Sequence, residues 1–320
     1  MKIKSTIILS FFIVALLGSV GGVGYYYINS VSVTNDAVFN HLESLAQSRA
    51  DHIQTFLEGH EQTTAVFSES TTFKEALENP ENNLIILKAN KRAESIISAQ
   101  NEILKISIID KTGKVIVSSD GSSLDTNKME TLEVLSNEGV FIKNAHISKG
   151  FGVICMDYGL PIFDDERNLI GGIIIDLNLE DLNEILVDKT GIGASGETYL
   201  INSELYPITP LLFVEYAEFE WKVDTSNSNH CFENHDPLNH NKARIFEGYR
   251  GKTVLGTHIY IPEMNWCLLA EVDDSEALGP QRRIFLKVSI TIILIIVILV
   301  TLVGLHVGRV IEKKTGKGKK

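Results

Sequence analysis

The segment FGVICMDYGLPIFDDERNLIGGIIIDL, residues 151–177, indicates a pair of antiparallel strands. The runs Phe151 to Phe163 and Leu169 to Leu177 are rich in the β-branched and aromatic residues that favour strands. Between them, Asp164 to Asn168 have the polar composition of a turn. Because a connection this short joins antiparallel neighbours, the segment predicts a hairpin and with it a sheet.

Further strand patterns surround this hairpin. On its N-terminal side we predict strands at Ile106 to Ile109, Val115 to Val117 and Val140 to Ile147, with a helix from about Thr126 to Leu135. On its C-terminal side we predict a second set at Glu197 to Ile201, Arg244 to Tyr249, Thr253 to Ile261 and Trp266 to Val272. This order predicts an α+β sandwich with helices on one face of the sheet, followed by a second module of the same kind.

Helical patterns precede the first strand. One stripe recurs at spacings of four and three: Val38, Leu42, Leu45, Arg49, His52 and Phe56. It is compatible both with a long N-terminal helix packed on its own domain and with a dimer seam. Asn79-Pro80 interrupts the pattern, and a second helix is predicted from Glu81 to Leu104. The polar stretch from Asp224 to Lys242 is predicted to be a loop.

Two uncharged apolar runs lie near the ends of the chain. The first, Thr6 to Ile28, exceeds the roughly 20 residues that span a bilayer, and the second, Val288 to Val307, matches that length. Lys2 and Lys4 also resemble the charged start of a signal peptide, but the apolar core of such a peptide is only about 7–15 residues long. We therefore predict two uncleaved membrane helices.

Basic residues flank both predicted spans. Lys2 and Lys4 precede the first span and six basic residues from Arg309 to Lys320 follow the second, so the positive-inside rule places both termini in the cytoplasm. Eight of the 29 basic residues lie in these flanks, whereas Glu312 is the only one of the 41 acidic residues there. The region between the spans carries a net charge of about −19, which argues against a nucleic-acid partner and against adhesion to anionic lipid.

The chain has three cysteines, Cys155, Cys231 and Cys267, all between the predicted spans. An odd number leaves at least one cysteine free or paired between chains. Cys231 and Cys267 fall in the same half and are expected to form a disulfide if the compartment is oxidising. Cys155 lies in an apolar strand pattern, so we expect it to be a small buried hydrophobic residue.

Three segments together resemble double Cache sensor domains. GIGASGETYLIN (191–202) is similar to the junction between the two modules of that family. YRGKTVLG (249–256) with WCLLAEVDDSEA (266–277) resembles the close of its second module, and PIFD (161–164) with GGIIID (171–176) resembles the hairpin of its first. The resemblance covers roughly residues 31–279 and agrees with the element order predicted above. It implies the ligand-binding part of a chemoreceptor or sensor histidine kinase.

The resemblance implies two tandem PAS-like Cache modules between the membrane helices, outside the cell membrane. The predicted division is a cytoplasmic start at 1–5, a first transmembrane helix at 6–28, a helical stalk with the membrane-distal module at 31–190, a membrane-proximal module at 191–279, a second transmembrane helix at 286–307 and a basic cytoplasmic tail at 308–320. Because about 13 residues follow the second span, we expect no transmitter domain here. The chain then signals through a partner or is a truncated receptor.

In this family the first module holds a small ligand in a cup between its sheet and a lid. Asp176 matches the position whose carboxylate binds the amino group in amino-acid sensors, and it is equally suited to capping the helix that begins near Leu179. Those sensors grip the ligand carboxylate with an arginine followed by Trp-Tyr, whereas Gly121 to Gly139 contains no Arg, Trp or Tyr, which argues against an α-amino acid. Further pocket candidates, each also suited to an ordinary surface or core position, are Lys128, His146, Lys149 and Tyr158.

Catalytic and metal motifs find little support. The pattern Gly191-x-Gly193-x-x-Gly196 follows a helix and opens a strand, the reverse of the order a dinucleotide site needs, so we interpret it as a tight turn. One polar stretch contains four residues of the types that bind zinc: His230, Cys231, His235 and His240. The alternative interpretation of this stretch is a solvated loop. No HExxH, GxSxG or P-loop pattern occurs. We expect neither catalysis nor a cofactor.

The leading hypothesis is a receptor subunit that binds a small molecule outside the cell and passes the signal across the membrane. A homodimer and a separate histidine kinase or chemotaxis-type transmitter are the partners that the resemblance implies. The alternatives are a ligand-free scaffold that assembles with another signalling protein, and a metal-dependent extracytoplasmic enzyme that uses the histidine-rich stretch.

Overall fold

The computed structural model describes residues 2–121, 129–233 and 243–316, so Lys128, His235 and His240 lie outside the described residues. The helices are α1 (Lys2–Ser68), α2 (Thr71–Glu78), α3 (Asn83–Ala99), α4 (Met129–Glu138), α5 (Glu180–Val187), α6 (Ser226–Glu233), α7 (Asp274–Ala277) and α8 (Gly279–Gly316). The strands are β1 (Ile103–Asp110), β2 (Val115–Ser118), β3 (Phe141–Ile147), β4 (Ile154–Phe163), β5 (Leu169–Asn178), β6 (Glu197–Asn202), β7 (Arg244–Glu247), β8 (Thr253–Ile261) and β9 (Trp266–Asp273).

Helix α1 is 67 residues long and continues from the first apolar run into the folded region. Its buried side chains Leu42, Ala46, Arg49 and Ile53 recur at spacings of four and three, as on one face of a helix, whereas His52 is exposed. The first two of these pack against β8 and β9 of the same chain. The structure therefore shows this face of α1 packed on its own domain, and the dimer seam stays a prediction.

The five-stranded sheet has the strand order β2-β1-β5-β4-β3, and each neighbouring pair is antiparallel. The predicted hairpin of residues 151–177 supplies β4 and β5. A Cβ placed on Gly171 would meet Leu77 of α2, and one placed on Gly172 would meet Leu135 of α4. Because consecutive strand residues point to opposite faces, helices cover both faces of this sheet. The prediction of helices on one face only was wrong.

The four-stranded sheet has the order β6-β9-β8-β7 and is also antiparallel. Beside it lies α6, in a stretch that we predicted to be a loop. The backbone N–H of Thr225 donates to Ser228 Oγ and that of Ser228 donates to Thr225 Oγ1, which supplies the helix start with partners. A disulfide between Cys231 of α6 and Cys267 of β9 then fixes the helix to the sheet.

A glycine turn joins α5 to β6. Gly191 and Gly193 have φ of 82° and 87°, a region that favours glycine. The turn is held by Glu276 of α7, whose carboxylate accepts the backbone N–H groups of Ala194 at 2.9 Å and Ser195 at 2.7 Å. A Cβ on Gly193 would lie 2.7 Å from Glu276 Oε1, so close approach also requires glycine there. The structure agrees with a tight turn at this motif.

Two helical segments, Phe12–Ser68 within α1 and Gly279–His306 within α8, are long and apolar enough to cross a membrane by length and composition. The predicted spans at 6–28 and 286–307 lie within these two helices. The rings of Tyr27 and Phe285 lie 4.2 Å apart between centroids, so α1 and α8 touch near the folded region.

Candidate functional site

Strand pairing brings charged side chains together on the α4 side of the five-stranded sheet. Asp176 of β5 lies directly opposite Asp157 of β4 and Lys105 of β1. Residues paired in this way point to the same face. Ile174, two positions before Asp176 and so on that face, packs in a cluster with Leu135 of α4. The two carboxylates therefore lie beside α4.

Strand β3 adds two basic side chains to this face. Lys143 pairs with Asp157 and His146 pairs with Cys155. Two strand residues three positions apart normally point to opposite faces. A β-bulge between Lys143 and His146 places both of these side chains on the same face. Lys143 Nζ lies 3.7 Å from Asp157 Oδ2, and His146 Nε2 lies 3.6 Å from Asp157 Oδ1. We refer to one group of side chains as the polar patch: Lys105, Lys143, His146, Cys155, Asp157 and Asp176.

The polar patch brings two carboxylates and two ammonium groups together in a partly buried place. Asp157 is only 8% exposed, and its Oδ1 has no hydrogen-bond partner among the described residues. Lys105 Nζ lies 3.0 Å from Oδ2 of Asp120, an acid outside the patch. The positive charge of Lys105 is therefore shared between Asp120 and the patch. Two carboxylates directly opposite each other on neighbouring strands destabilise a sheet unless a cation compensates for them. The patch is thus suited to a cation or to a group with several hydrogen-bond donors.

Cys155 is buried, as predicted. Burial, reinforced by the neighbouring carboxylates Asp157 and Asp176, raises the pKa of the Cys155 thiol to about 11. The thiol is therefore protonated near neutral pH, unlike an activated nucleophile. This arrangement is unsuited to covalent catalysis.

The predicted site residues are divided by the fold. Asp176 and His146 lie together in the polar patch. Tyr158 follows Asp157 and points to the opposite face, where burial and then Glu61 raise the pKa of its hydroxyl to about 12. Lys149 is exposed at the β3–β4 turn. Tyr158 is thus apart from the other candidates.

Three members of the site were not predicted from the sequence: Lys105, Lys143 and Asp157. An acidic residue within the otherwise apolar run Phe151 to Phe163 was the available signal for Asp157. The pairing of Asp157 with Asp176 required the strand register.

Asp176 does not contact the start of α5, as a capping residue would. Helix α5 begins at Glu180, and the N–H of Glu180 donates to the side-chain oxygen of Asn178 at 3.1 Å. Asp176 instead lies within β5, two positions earlier. Its carboxylate is therefore placed on the sheet.

A cavity of about 310 Å³ lies between α1, the five-stranded sheet and the β8–β9 turn of the other sheet. His60 of α1 borders it, and burial lowers the pKa of this imidazole more than the nearby Asp181 raises it. Its other lining residues include Glu58, Glu61, Tyr158 and Met264. Tyr158 therefore faces this cavity, on the side of the sheet opposite the polar patch.

The histidine-rich zinc set does not assemble in the described part of the chain. Cys231 is joined to Cys267 in a disulfide, and a disulfide sulfur is no thiolate ligand. The ring of His230 lies against that of His258, with centroids 5.5 Å apart. Cys231 is therefore not available as a ligand for the metal site considered for this stretch.

Comparison with known proteins adds the fold relationship. No family model matches the sequence, and no curated protein matches it. The sensor domain of the histidine kinase DctB of V. cholerae is 15% identical with a TM-score of 0.58, over 75% of this chain and 98% of its own. The ligand-binding domain of the Campylobacter jejuni chemoreceptor Tlp3, solved with 4-methylisoleucine, is 13% identical with a TM-score of 0.55, over 76% and 94%.

The ligand-binding domain of the Pseudomonas fluorescens chemoreceptor CtaA, solved with L-isoleucine, is 14% identical with a TM-score of 0.51, over 78% of this chain and 97% of its own. These structures are double Cache-type sensor domains of receptors and kinases. At such low identity the likeness shows the fold. The resemblance drawn from the junction and hairpin motifs is therefore confirmed at the level of fold.

Proposed function

We propose that this chain is a membrane-anchored extracytoplasmic sensor. It binds a small cationic ligand at the polar patch and passes the resulting conformational change to α8. In this proposal residues 31–190 and 191–279 form a membrane-distal and a membrane-proximal module of PAS-like layout. Helices α1 and α8 anchor the two modules to the membrane, and the chain termini lie in the cytoplasm. Similar solved structures are sensor domains rather than enzymes, which agrees with a non-catalytic role.

The pairing of Asp157 with Asp176 is the observation that carries the proposal. Opposed carboxylates on adjacent strands cost stability unless positive groups balance them, and the half-exposed ammonium of Lys143 is one that a cationic ligand is able to replace. The amino acids bound by the Tlp3 and CtaA domains each carry an ammonium group. The missing Arg and Trp-Tyr in Gly121 to Gly139 argue that the rest of the ligand here differs from an α-amino acid.

A continuous set of contacts supports transmission from the patch. Asn144 lies in β3 between Lys143 and His146, and its Nδ2 donates to the carbonyl of Met264 in the β8–β9 turn at 2.7 Å. Its Oδ1 also accepts from the indole Nε1 of Trp266. A shift of β3 on ligand binding is thereby passed to the four-stranded sheet.

The four-stranded sheet is in turn connected to the second apolar helix. The backbone N–H of Asp273, at the end of β9, donates to Ser195 Oγ at 3.1 Å, and Glu276 of α7 holds the same turn. α7 precedes α8 directly. A difference in ligand affinity of a few kcal/mol between two packings of this connection suffices to shift their populations.

The test uses the full chain in lipid nanodiscs. Thermal unfolding is measured with a panel of amines, polyamines, divalent cations, carboxylates and sugars, for the wild type and for Asp176→Asn. We expect a cationic ligand to raise the melting temperature of the wild type and Asp176→Asn to lose at least about tenfold in affinity, as for a charge-assisted hydrogen bond. Glu166→Gln, an exposed acid in the β4–β5 turn, is the matched control and should bind as the wild type does.

Stabilisation by carboxylates or sugars alone, or equal loss of affinity in both variants, would contradict the proposed ligand. No stabilisation by any member of the panel would favour the ligand-free scaffold.

A further inference from the structure

Three side chains of the polar patch carry atoms that metal ions use as ligands. His146 of β3 lies directly opposite Cys155 of β4, and Asp157 lies two positions further along β4 on the same face. His146 Nε2 is 3.5 Å from Cys155 Sγ and 3.6 Å from Asp157 Oδ1, and all three ligand atoms lie within 4.8 Å of one another. Imidazole nitrogen, thiolate sulfur and carboxylate oxygen together are a borderline-soft set of the kind that binds zinc.

These separations match the edges of a tetrahedral metal site. Bond lengths of about 2.0 Å to nitrogen and oxygen and about 2.3 Å to sulfur place tetrahedral ligands about 3.5 Å apart for N and S, and about 3.3 Å apart for N and O. Both distances from His146 Nε2 are within a few tenths of an ångström of these values. The two edges that meet at His146 Nε2 therefore fit a coordination tetrahedron, and the ligand atoms of Cys155 and Asp157 lie within 4.8 Å of each other.

The imidazole of His146 is held in the form that binds a metal through Nε2. Its Nδ1 lies 3.0 Å from the backbone carbonyl of Asn144, which accepts a hydrogen bond and so requires the proton on Nδ1. The ammonium of Lys143 lies 2.9 Å from Nε2 and donates to it, which also requires a lone pair there. Both contacts thus place the lone pair of His146 on Nε2, the atom that lies 3.5 Å from Cys155 Sγ and 3.6 Å from Asp157 Oδ1.

Asp157 supplies the second observation that points to a ligand. The residue is only 8% exposed, and its Oδ1 lies 3.6 Å from His146 Nε2 without a hydrogen-bond partner among the described residues. In this structure the Lys143 ammonium lies 2.9 Å from His146 Nε2 and 3.7 Å from Asp157 Oδ2. Because the side chain of Lys143 is 52% exposed, it is able to turn into solvent when another cation arrives.

We propose that His146, Cys155 and Asp157 bind a zinc-class divalent metal ion with its fourth position open to water or a small ligand. On binding, the thiol proton of Cys155 passes to solvent and a sulfur–metal bond replaces the S–H bond, with no change of oxidation state. This inference rests on the proposed function, because it names the metal ion as the cation that the polar patch senses. The site is distinct from the histidine-rich stretch considered in the sequence.

The test uses the full chain in nanodiscs after treatment with a chelator. Titration with Co²⁺ should produce a thiolate-to-cobalt charge-transfer band and the visible bands of tetrahedral cobalt, and Zn²⁺ should displace both. Cys155→Ser should remove the charge-transfer band, and His146→Ala should weaken metal affinity at least about tenfold. Lys143→Met should bind more tightly than the wild type because the competing cation is gone, whereas Lys149→Met, which removes an exposed lysine nearby, should not change affinity.

Absence of the charge-transfer band in the wild type would overturn the metal site, as would its persistence in Cys155→Ser. If the Cys155 variant fails to fold, the exposed Lys143 position still decides: equal affinity in Lys143→Met and the wild type would contradict the proposed geometry. An amine that binds in an Asp176-dependent way while Zn²⁺ and Co²⁺ do not would refute the metal and leave the sensor proposal standing.

Discussion

Both sheets place two carboxylates directly opposite each other, and they compensate for this in different ways. In the five-stranded sheet Asp157 faces Asp176, and in the four-stranded sheet Glu197 faces Glu271. The second pair is surrounded by internal donors: the hydroxyl of Tyr199 donates to Glu271 at 2.9 Å, and the backbone N–H of Leu212 donates to Glu197 at 3.0 Å. The Tyr249 hydroxyl donates to Glu197 as well, at 2.8 Å.

Protonation also reduces the repulsion between the two carboxyl groups of the four-stranded sheet. Complete burial raises the pKa of Glu271 to about 8, and Glu197 adds to the effect. The five-stranded pair instead has the half-exposed Lys143 and the ring of His146 at its edge. One sheet thus resolves its buried charge within the chain, and the other is able to accept a cation from outside. Four predictions test this contrast.

The largest effect is expected from pH at Glu271. Its folded pKa lies above its unfolded pKa, so the native state holds the proton more tightly and stability falls as pH rises through this interval. Between about pH 5 and pH 8 the free energy of unfolding should decrease by up to about 4 kcal/mol, at about 1.4 kcal/mol per pH unit. Glu271→Gln, which keeps an acceptor for Tyr199, should remove most of this slope in chemical unfolding measured across the interval.

Glu197 also has a raised pKa, mainly because it is buried, so a smaller slope of the same sign should remain in Glu271→Gln. The exposed acid Glu215 serves as a control, and Glu215→Gln should keep the wild-type slope. An unchanged slope in Glu271→Gln would show that the four-stranded pair is not protonated as described.

The second effect concerns the disulfide that closes the four-stranded sheet over α6. Cys231 and Cys267 are 36 residues apart, and opening a loop of this length should lower the free energy of unfolding by about 3–4 kcal/mol. The double variant Cys231→Ala, Cys267→Ala should therefore unfold at lower denaturant concentration. It should also lose the response to a reducing agent that the wild type shows.

Cys155→Ser is the matched control because it removes the free thiol and leaves the disulfide in place. Its unfolding should still respond to the reducing agent. Equal unfolding of the oxidised and reduced wild type would contradict the assignment of the disulfide as a stabilising connection.

A third, smaller effect is expected where the two sheets meet. Asn144→Ala leaves the fully buried Trp266 without the acceptor for its indole N–H, which should cost about 1–2 kcal/mol. Cation binding at the polar patch should persist, but ligand-dependent hydrogen-exchange protection of the β8–β9 turn should be lost. Asn101→Ala, an exposed asparagine near β1, should change neither. If the ligand still protects the β8–β9 turn from hydrogen exchange in Asn144→Ala, then Asn144 is not part of the transmission route.

Local patterns predicted the elements of the sheets well. The hairpin of residues 151–177 and the glycine turn at Gly191 and Gly193 depend on strand composition and on positive φ, which are properties of short segments. Helix α6 was missed because Ser, Asn and His have low helix propensity, and its stability comes from the disulfide and from side-chain contacts distant in sequence.

The candidate site depended on register, which no single segment contains. Asp157 and Tyr158 are neighbours in sequence, yet only the register of β4 with β5 shows that Asp157 shares the face of Asp176. The bulge in β3 that returns His146 to that face is likewise visible only in the pairing of strands. The sequence therefore supplied Asp176 and His146, and the fold supplied the residues between them.

The smallest effect is expected at Glu276, and its pH dependence has the opposite sign to that of Glu271. Hydrogen bonds from the Ser195 hydroxyl and then from the backbone N–H groups of Ala194 and Ser195 lower the pKa of Glu276. Its contribution is therefore present above the unfolded pKa of about 4.5 and is lost as pH falls through the folded pKa. Because the carboxylate is largely exposed, Glu276→Ala should cost only about 0.5–1 kcal/mol at pH 7.

That cost should disappear in acid, where the wild type and Glu276→Ala should converge in unfolding experiments. Between about pH 5 and pH 8 the two proteins should run parallel, because the slope in this interval comes from the buried pair of the four-stranded sheet. Glu220→Ala, an exposed acid without these contacts, should match the wild type throughout. Divergence of Glu276→Ala from the wild type as pH rises would mean that the turn and the buried pair titrate together, and the contrast between an internally neutralised sheet and its charged connection to α8 would then fail.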